Sequence, residues 1–201
     1  MNRFAINVVL LPPNAIMDFV LEWNKKLREE FSGNIVLGKT NYLPHISLAM
    51  GCLREDQLEN AYLLLRSIAM RHKVLQLRSK GIHYVTTTTG NIVATLDIWP
   101  DTPLRALHQS IAQEFSPMLT HDAEATDLAD DYFVDLPTLD WINNFIPHAS
   151  FENFWPHITI GLGSLPNNVE RTTFQVSRLA ICHLANHSTC KTILNEVTLG
   201  L

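Results

Sequence analysis

One short pattern occurs twice in this chain and limits what the chain can be. Residues 44–50 read PHISLAM and residues 156–162 read PHITIGL. In each, a proline opens a brief apolar run, a histidine follows at once, and a hydroxyl residue stands two positions further on. A run this short suits a β-strand, on which alternate side chains share a face. His45, Ser47 and Ala49 are then predicted on one face, with Ile46, Leu48 and Met50 on the other. In the second copy His157, Thr159 and Gly161 share a face opposite Ile158, Ile160 and Leu162. Each strand offers an apolar side to a core and a His–hydroxyl pair to a groove, and the small residue leaves room for a ligand. One copy alone reads as an ordinary strand that carries a histidine. Two copies in one phase, with the same flanking proline, point to a duplicated site.

The pattern sits inside a longer repeat. Residues 3–11 are rich in Ile, Val and Leu, as a buried strand is, and Pro12-Pro13 ends them. Asn14 is placed to cap a helix in which Ile16, Phe19, Val20, Trp23, Leu27 and Phe31 recur at helical spacing over 15–31. Gly33 and Gly38 bracket the connection to the first His strand. Strand, helix and His strand recur at 91–98, 101–119 and 156–162, the second helix opening on Asp101-Thr102-Pro103. Between the repeats the sequence predicts a helix over 54–70. It also predicts a hairpin of 73–85 with 91–98 about TTTTGN. After the repeats, two strands about Asn186-His187-Ser188 are predicted to fill 172–201. From Phe4 to His45 is 41 positions and from Ile92 to His157 is 65. The second repeat therefore carries about two dozen additional residues, placed at about 120–150, where TLDWINNFI predicts a short helix. A segment of this length serves as a lid or as a solvated excursion. The fold class predicted is α+β: two pseudo-symmetric lobes of antiparallel sheet plus helices around a central groove, in one domain over 1–201.

Charge narrows the ligand. The net charge is −5, but no Lys or Arg stands between Arg105 and Arg171, a stretch with ten acids that include Asp130 and Asp131. The remaining chain is net +5. Proteins that grip long nucleic acids present a broad basic surface. Moderate positive charge beside an acidic segment suits a small phosphorylated ligand or one RNA end. No apolar run reaches membrane-spanning length. The N-terminal FAINVVLLPP is interrupted by Asn7 and is followed by no cleavage site. Three cysteines form no disulfide framework, and the chain is expected to be cytoplasmic, monomeric by default. No Gly-rich phosphate loop is present, which argues against an NTP-driven kinase or an ATP-dependent ligase. Cys182, His183, His187 and Cys190 match no common zinc spacing, so no metal and no cofactor are expected.

If the halves pack about a pseudo-twofold axis, His45 and His157 face each other across one groove. That pair suits acid–base chemistry at a phosphodiester. One neutral imidazole takes a proton from the nucleophile while the other, as imidazolium, protonates the leaving oxygen. Ser47 and Thr159 would donate to the non-bridging oxygens. Tyr42, Tyr84, Phe154 and Trp155 flank the motif strands and are candidates to stack on a nucleobase. His72, His83, His108, His121 and His148 lack a repeated partner and are assigned to the surface or to satisfied core positions.

Two His-x-Ser/Thr strands in repeated strand–helix halves, over 201 residues, resemble the two-histidine (2H) phosphoesterase superfamily. That group includes LigT-like 2'-5' RNA ligases and 2',3'-cyclic nucleotide phosphodiesterases. The resemblance spans the first strand to the final hairpin. It implies two α+β lobes with a groove between them, and catalytic roles for His45, Ser47, His157 and Thr159. It further implies opening of a cyclic phosphate or cleavage of a 2'-linked phosphodiester, with His157 activating water and His45 protonating the leaving group. The spacing between the motifs exceeds that of compact members, and basic residues near the groove are hard to identify. Both point to hydrolysis of a nucleotide, a cyclic nucleotide or a short RNA end, rather than to long RNA or ligation. The alternatives are a 2'-5' RNA ligase and a non-catalytic nucleotide- or phosphoprotein-binding module.

Overall fold

A computed structural model describes residues 2–32, 35–87, 89–129, 134–166 and 169–200. Gly33, Thr88 of the predicted TTTTGN turn, and Asp130 and Asp131 of the acidic segment lie outside the described residues. The strands are β1 (Arg3–Leu11), β2 (Ile46–Arg54), β3 (Leu75–Thr86), β4 (Ile92–Ile98), β5 (His157–Leu162), β6 (Thr173–Val176), β7 (Arg178–Ala185) and β8 (Thr189–Thr198). They form one sheet in the order β6-β3-β4-β5-β2-β1-β7-β8, antiparallel at every pairing. The order is symmetric about the β5–β2 seam. Each His strand is flanked by the strand that opens its own repeat, β4 beside β5 and β1 beside β2.

The helices are α1 (Asn14–Glu30), α2 (Leu58–Arg71), α3 (Thr102–Phe115) and α4 (Leu136–Ala149). The first three cover one face of the sheet, the helix face. Ile6, Val8 and Leu10 of β1, Ile46 and Leu48 of β2, and Ile158 and Ile160 of β5 join one core with side chains of α1, α2 and α3. Each such Leu or Ile contributes roughly 1.5–3 kcal/mol by burial. Ile16, Val20 and Leu27 of the predicted α1 stripe are buried, together with Met17 and Asn24, whereas Phe31 lies beyond the last helical residue and is exposed; the start differs as well. Pro13, not Asn14, holds the cap position, and its carbonyl accepts from Ile16 and Met17 at 2.9 and 3.0 Å. Helix α3 is shorter than expected, because Ser116-Pro117-Met118 tightens into a 3₁₀ turn.

The C-terminal segment holds three strands where two were predicted. Ser177 alone separates β6, which pairs with β3 at one end of the sheet, from β7, which pairs with β1 near the other. Consecutive residues reach only about 3.5 Å each, so the sheet curls until its outer parts meet. The Leu199 N–H donates to the Ser177 carbonyl at 2.7 Å and closes that junction.

The acidic segment packs onto the sheet. Thr120 and Cys52 exchange backbone hydrogen bonds at 2.8 and 2.9 Å, and Arg3 forms ion pairs with Asp122 and Asp127, both at 2.8 Å. Helix α4, capped by Asp135 accepting from the Thr138 N–H at 3.0 Å, lays Ile142 and Phe145 over Ala5, Met50, Cys52 and Leu184. Among the described residues no helix is long and apolar enough to cross a membrane.

Candidate active site

Strands β2 and β5 meet at the pair Ile46–Ile158, the residue after each motif histidine. Extending that register by one residue sets His45 opposite Thr159 and His157 opposite Ser47. The imidazoles then lie on a diagonal, with Cβ atoms roughly 7–8 Å apart. Ile46 and Ile158 are fully buried in the helix-side core. The two histidines and two hydroxyls, all half-buried, therefore occupy the opposite face, the site face. The duplicated pairs are neighbours on the floor of one sheet.

Each imidazole is held in the same way. His45 Nδ1 lies 2.8 Å from the Leu43 carbonyl and His157 Nδ1 lies 2.9 Å from the Trp155 carbonyl, the same two-residue offset. A carbonyl only accepts, so each Nδ1 carries the proton and each Nε2 offers a lone pair to the site. The proline between each pair, Pro44 or Pro156, fixes the backbone that aims the carbonyl. Burial pushes His45 down to about 4, opposed by the Leu43 carbonyl and helped by the nearby His157. Burial lowers His157 as well, opposed by the Trp155 carbonyl and then by Asp97.

Asp97 is where the halves part. It is the direct cross-strand partner of His157 and is buried. It accepts from Thr95 Oγ1 at 2.7 Å and from Trp155 Nε1 at 3.0 Å. The Trp155 ring stacks on His157 with centroids 4.0 Å apart. In the other half the equivalent position, one beyond the partner of the first core isoleucine, is Leu11, buried among Val9, Leu43 and Cys182. A buried carboxylate favours a neighbouring imidazolium, and a leucine does not.

Both His strands bulge immediately after the hydroxyl. Val9 pairs with Ser47 but Val8 with Ala49, leaving Leu48 extra; Thr95 pairs with Thr159 but Ala94 with Gly161, leaving Ile160 extra. The carbonyl of each extra residue is satisfied by the helix of the other repeat. His108 Nδ1 of α3 donates to the Leu48 carbonyl at 3.0 Å, and Asn24 Nδ2 of α1 donates to the Ile160 carbonyl at 2.7 Å. His108 Nε2 also accepts from the Phe151 N–H at 2.8 Å, and burial pushes His108 down to about 4. The bulges reset the alternation. Ala49 turns into the helix-side core and Met50 lies under α4. Gly161, paired with core Ala94, turns the same way as Ala49, and Leu162 falls in the opposite phase. The predicted positions of Ala49, Met50, Gly161 and Leu162 are thus reversed, and no small residue follows the pair on the site face.

Of the four aromatic candidates, Trp155 reaches the site through Asp97 and His157. Tyr42 lies beside Lys191 of β8, whose Nζ is 5.9 Å from the ring centroid. Tyr84 does not reach it. Its cross-strand partner is Ala94, which places it on the helix face, where its hydroxyl bonds the Leu165 backbone. Phe154 is buried and stacked on His108 at 3.8 Å, inside the core. His83 and Asn7 at the site, like Asp97, were not foreseen. His83, partner of Thr95, is exposed on the site face with Nδ1 3.9 Å from Asp97 Oδ2. Asn7, fully buried, donates through Nδ2 to Ser47 Oγ at 2.8 Å, which leaves the Ser47 O–H to donate outward. The signal for Asn7 was the break it makes in an apolar strand.

Among the described residues no group of three or more His, Cys, Asp or Glu side chains could hold a metal ion. Cys182 and Cys190 are buried in an apolar cluster, His183 Nε2 bonds the Asp127 carbonyl at 2.9 Å, and His187 faces Asp135 at 3.3 Å.

A family model described as the 2'-5' RNA ligase superfamily matches residues 22–186. No curated protein matches by sequence. Among solved structures, TT0787 of Thermus thermophilus is similar with TM-score 0.61 and 17% identity, covering 98% of each chain. Apo LigT of E. coli is similar with TM-score 0.55 and 14% identity over 100% of each chain, and LigT complexed with 3'-AMP with TM-score 0.54 and 14% identity over the same extent. At such identities the likeness shows the fold.

Proposed function

We propose, from the premise that this chain belongs to the 2'-5' RNA ligase superfamily, that it is a metal-independent phosphodiesterase. It hydrolyses 2',3'-cyclic phosphates, or 2'-linked phosphodiesters, of nucleotides or RNA ends. The observation that carries this reading is the matched pair of imidazoles. Each presents a free Nε2 on one sheet face, beside a hydroxyl donor from the other motif. A binding groove has no use for two such groups; an acid–base reaction needs both. That E. coli LigT has been seen with 3'-AMP, NADP+ and ATP supports a nucleotide as the ligand.

The roles follow from Asp97. With the Asp97 carboxylate as its cross-strand partner, His157 is assigned the proton, and His45, which has no such partner and is pushed by burial to about 4, is the neutral base. His45 Nε2 removes a proton from water as the water oxygen bonds to phosphorus. The bond from phosphorus to one ribose oxygen breaks, and His157 gives its Nε2 proton to that oxygen. The product is a phosphate monoester, and proton exchange with solvent resets the pair. Ser47 and Thr159 donate to the non-bridging oxygens as charge grows there. This order is the reverse of the one the family resemblance implies, and Asp97 is the reason.

The test is turnover of 2',3'-cyclic nucleotides in EDTA by the wild type, His45→Ala and His157→Ala. Hydrolysis lost by at least ~10²-fold in each variant supports the mechanism. A wild type that binds nucleotide and hydrolyses none of these substrates, 2'-5' dinucleotides included, overturns it in favour of a binding module.

A further inference from the structure

The site face is covered very differently in the two halves. Over β1, β2 and β7 it lies under α4 and under Leu43. Over β3 and β6 it is open, and Gln76, Arg78, His83, Thr173 and Gln175 are exposed there. Trp99, just beyond β4, is 40% exposed. Its N–H donates to the Arg78 carbonyl at 2.9 Å, which makes the two residues cross-strand neighbours. Both belong to the site face, since Arg78 alternates with buried Leu77 and Ser79 and Trp99 follows buried Ile98. The Lys80 ammonium stands 4.9 Å from the Trp99 ring centroid and the Arg78 guanidinium 6.0 Å. One guanidinium nitrogen of Arg78 is taken by Asp101 at 3.0 Å. Trp99 stands two positions, about 7 Å, beyond Asp97, which bonds the tryptophan stacked on His157.

We propose that this strip receives the upstream continuation of a single-stranded RNA whose 3' end lies between the histidines. Trp99 stacks a base, while Lys80 and Arg78 hold the phosphates on either side of it. The inference rests on the phosphodiesterase reading and specifies its substrate as an RNA end carrying further nucleotides, rather than a free mononucleotide. A large exposed aromatic ring flanked by two cations is the composition that single-stranded backbones select, a π-face for the base and charge for the phosphates. Direction comes from the rest of the molecule. The Lys/Arg-free segment roofs the other half, so a polyanion is turned away from it and led over β3 and β6.

The test compares binding of a 5'-labelled oligoribonucleotide of about six nucleotides, ending in a 3'-phosphate, with binding of a 3'-mononucleotide. The proteins are the wild type, Trp99→Ala, Trp99→Phe and Lys80→Ala. The wild type is expected to prefer the oligomer. Trp99→Ala should weaken oligomer binding by at least ~5-fold, as loss of one stacked base does, with Trp99→Phe restoring most of it. Lys80→Ala should flatten the salt dependence by roughly 0.7 in log–log slope. Binding of the 3'-mononucleotide and turnover of a 2',3'-cyclic mononucleotide should stay within about two-fold of wild type, since none of these residues touches the reacting phosphate. Equal affinity of the wild type for oligomer and mononucleotide, or variants that weaken both alike, would overturn the strip. Absence of hydrolysis with the oligomer preference intact would instead overturn the phosphodiesterase reading alone.

Discussion

The two halves of the sheet share a frame and differ in what surrounds it. Shared are the proline, the carbonyl-tethered histidine, the hydroxyl, the bulge after it and a polar staple from the other repeat's helix. Different are Asp97 and Trp155 behind one histidine against Leu11 and Leu43 behind the other, and an open strip against a roof. The repeated parts place two like groups, and the unrepeated parts make them unlike. A symmetric pair of neutral imidazoles cannot be acid and base at once, and in the proposed mechanism one buried carboxylate divides the labour.

The sharpest way to break that comparison is to delete each histidine in turn. Both alanine variants should lose at least ~10²-fold in kcat/KM, yet they should differ in what pH dependence remains. In the wild type the acid limb, set by His45, falls near 4, and the alkaline limb, set by His157, falls below 6.5. His45→Ala should lose the acid limb and keep the alkaline one, and His157→Ala the reverse. If each variant keeps the limb assigned to its deleted histidine, the roles are exchanged.

The staples come next. Asn24→Ala removes the bonds to the Ile160 and Ile35 carbonyls and to the Leu37 N–H, and His108→Ala those to the Leu48 carbonyl and the Phe151 N–H. A buried group left unpaired costs about 1–3 kcal/mol, so urea unfolding should show both variants clearly destabilised, Asn24→Ala at least as much as His108→Ala. A loss below ~1 kcal/mol in either would mean that its bulge carbonyl finds another partner.

A smaller effect probes the carboxylate. Asp97→Asn keeps one carbonyl acceptor for Trp155 Nε1, turns its amide N–H toward Thr95 Oγ1 as a donor and removes the charge, so His157 becomes harder to protonate and the alkaline limb moves to lower pH. Activity near pH 7 should fall, by less than the ~10²-fold lost with either histidine. An unmoved limb would separate Asp97 from the acid.

The slightest signal is in stability against pH. His108 is neutral in the fold at about 4 against an unfolded value near 6.5. Its contribution is therefore complete above pH 6.5 and declines as pH falls toward 4, by up to about 1.4 kcal/mol per unit. His108→Leu should flatten that decline in melts taken across the window; an unchanged slope would show that other groups govern it.

Much of the site was legible before any coordinates, and what escaped has identifiable causes. Period-two patterning placed His45, Ser47, His157 and Thr159 on one face, because Ile46, Leu48, Ile158 and Ile160 had to enter a core. It failed one residue later, since Leu48-Ala49 carries no mark of a bulge, Gly161 carries only the mark of a strand glycine, and the helix that satisfies each bulge carbonyl is distant in sequence. Tyr84 and Phe154 are candidates only for being aromatic and near in sequence, whereas pairing with Ala94 turns Tyr84 to the helix face, the stack on His108 takes Phe154 into the core, and pairing with Thr95 brings His83 in. Gly81 of β3, with φ +110° beside a register slip, is the mark in the chain that regular alternation stops there. Asp97 and Asn7 needed the fold, because a buried polar residue acquires meaning only from the neighbour it bonds.

The one-residue link at Ser177 also bears on how the chain is assembled. Strand β1 pairs on one side with β7, whose residues follow it by about 170 positions. Until that distant strand arrives β1 keeps a bare, apolar edge, and the half containing His45 stays open. The half containing His157 needs β6, which arrives in the same short stretch. Completion of both halves thus waits on one segment. Such long-range pairing predicts slow folding and a chain whose open sheet edge invites association until β6 and β7 are in place.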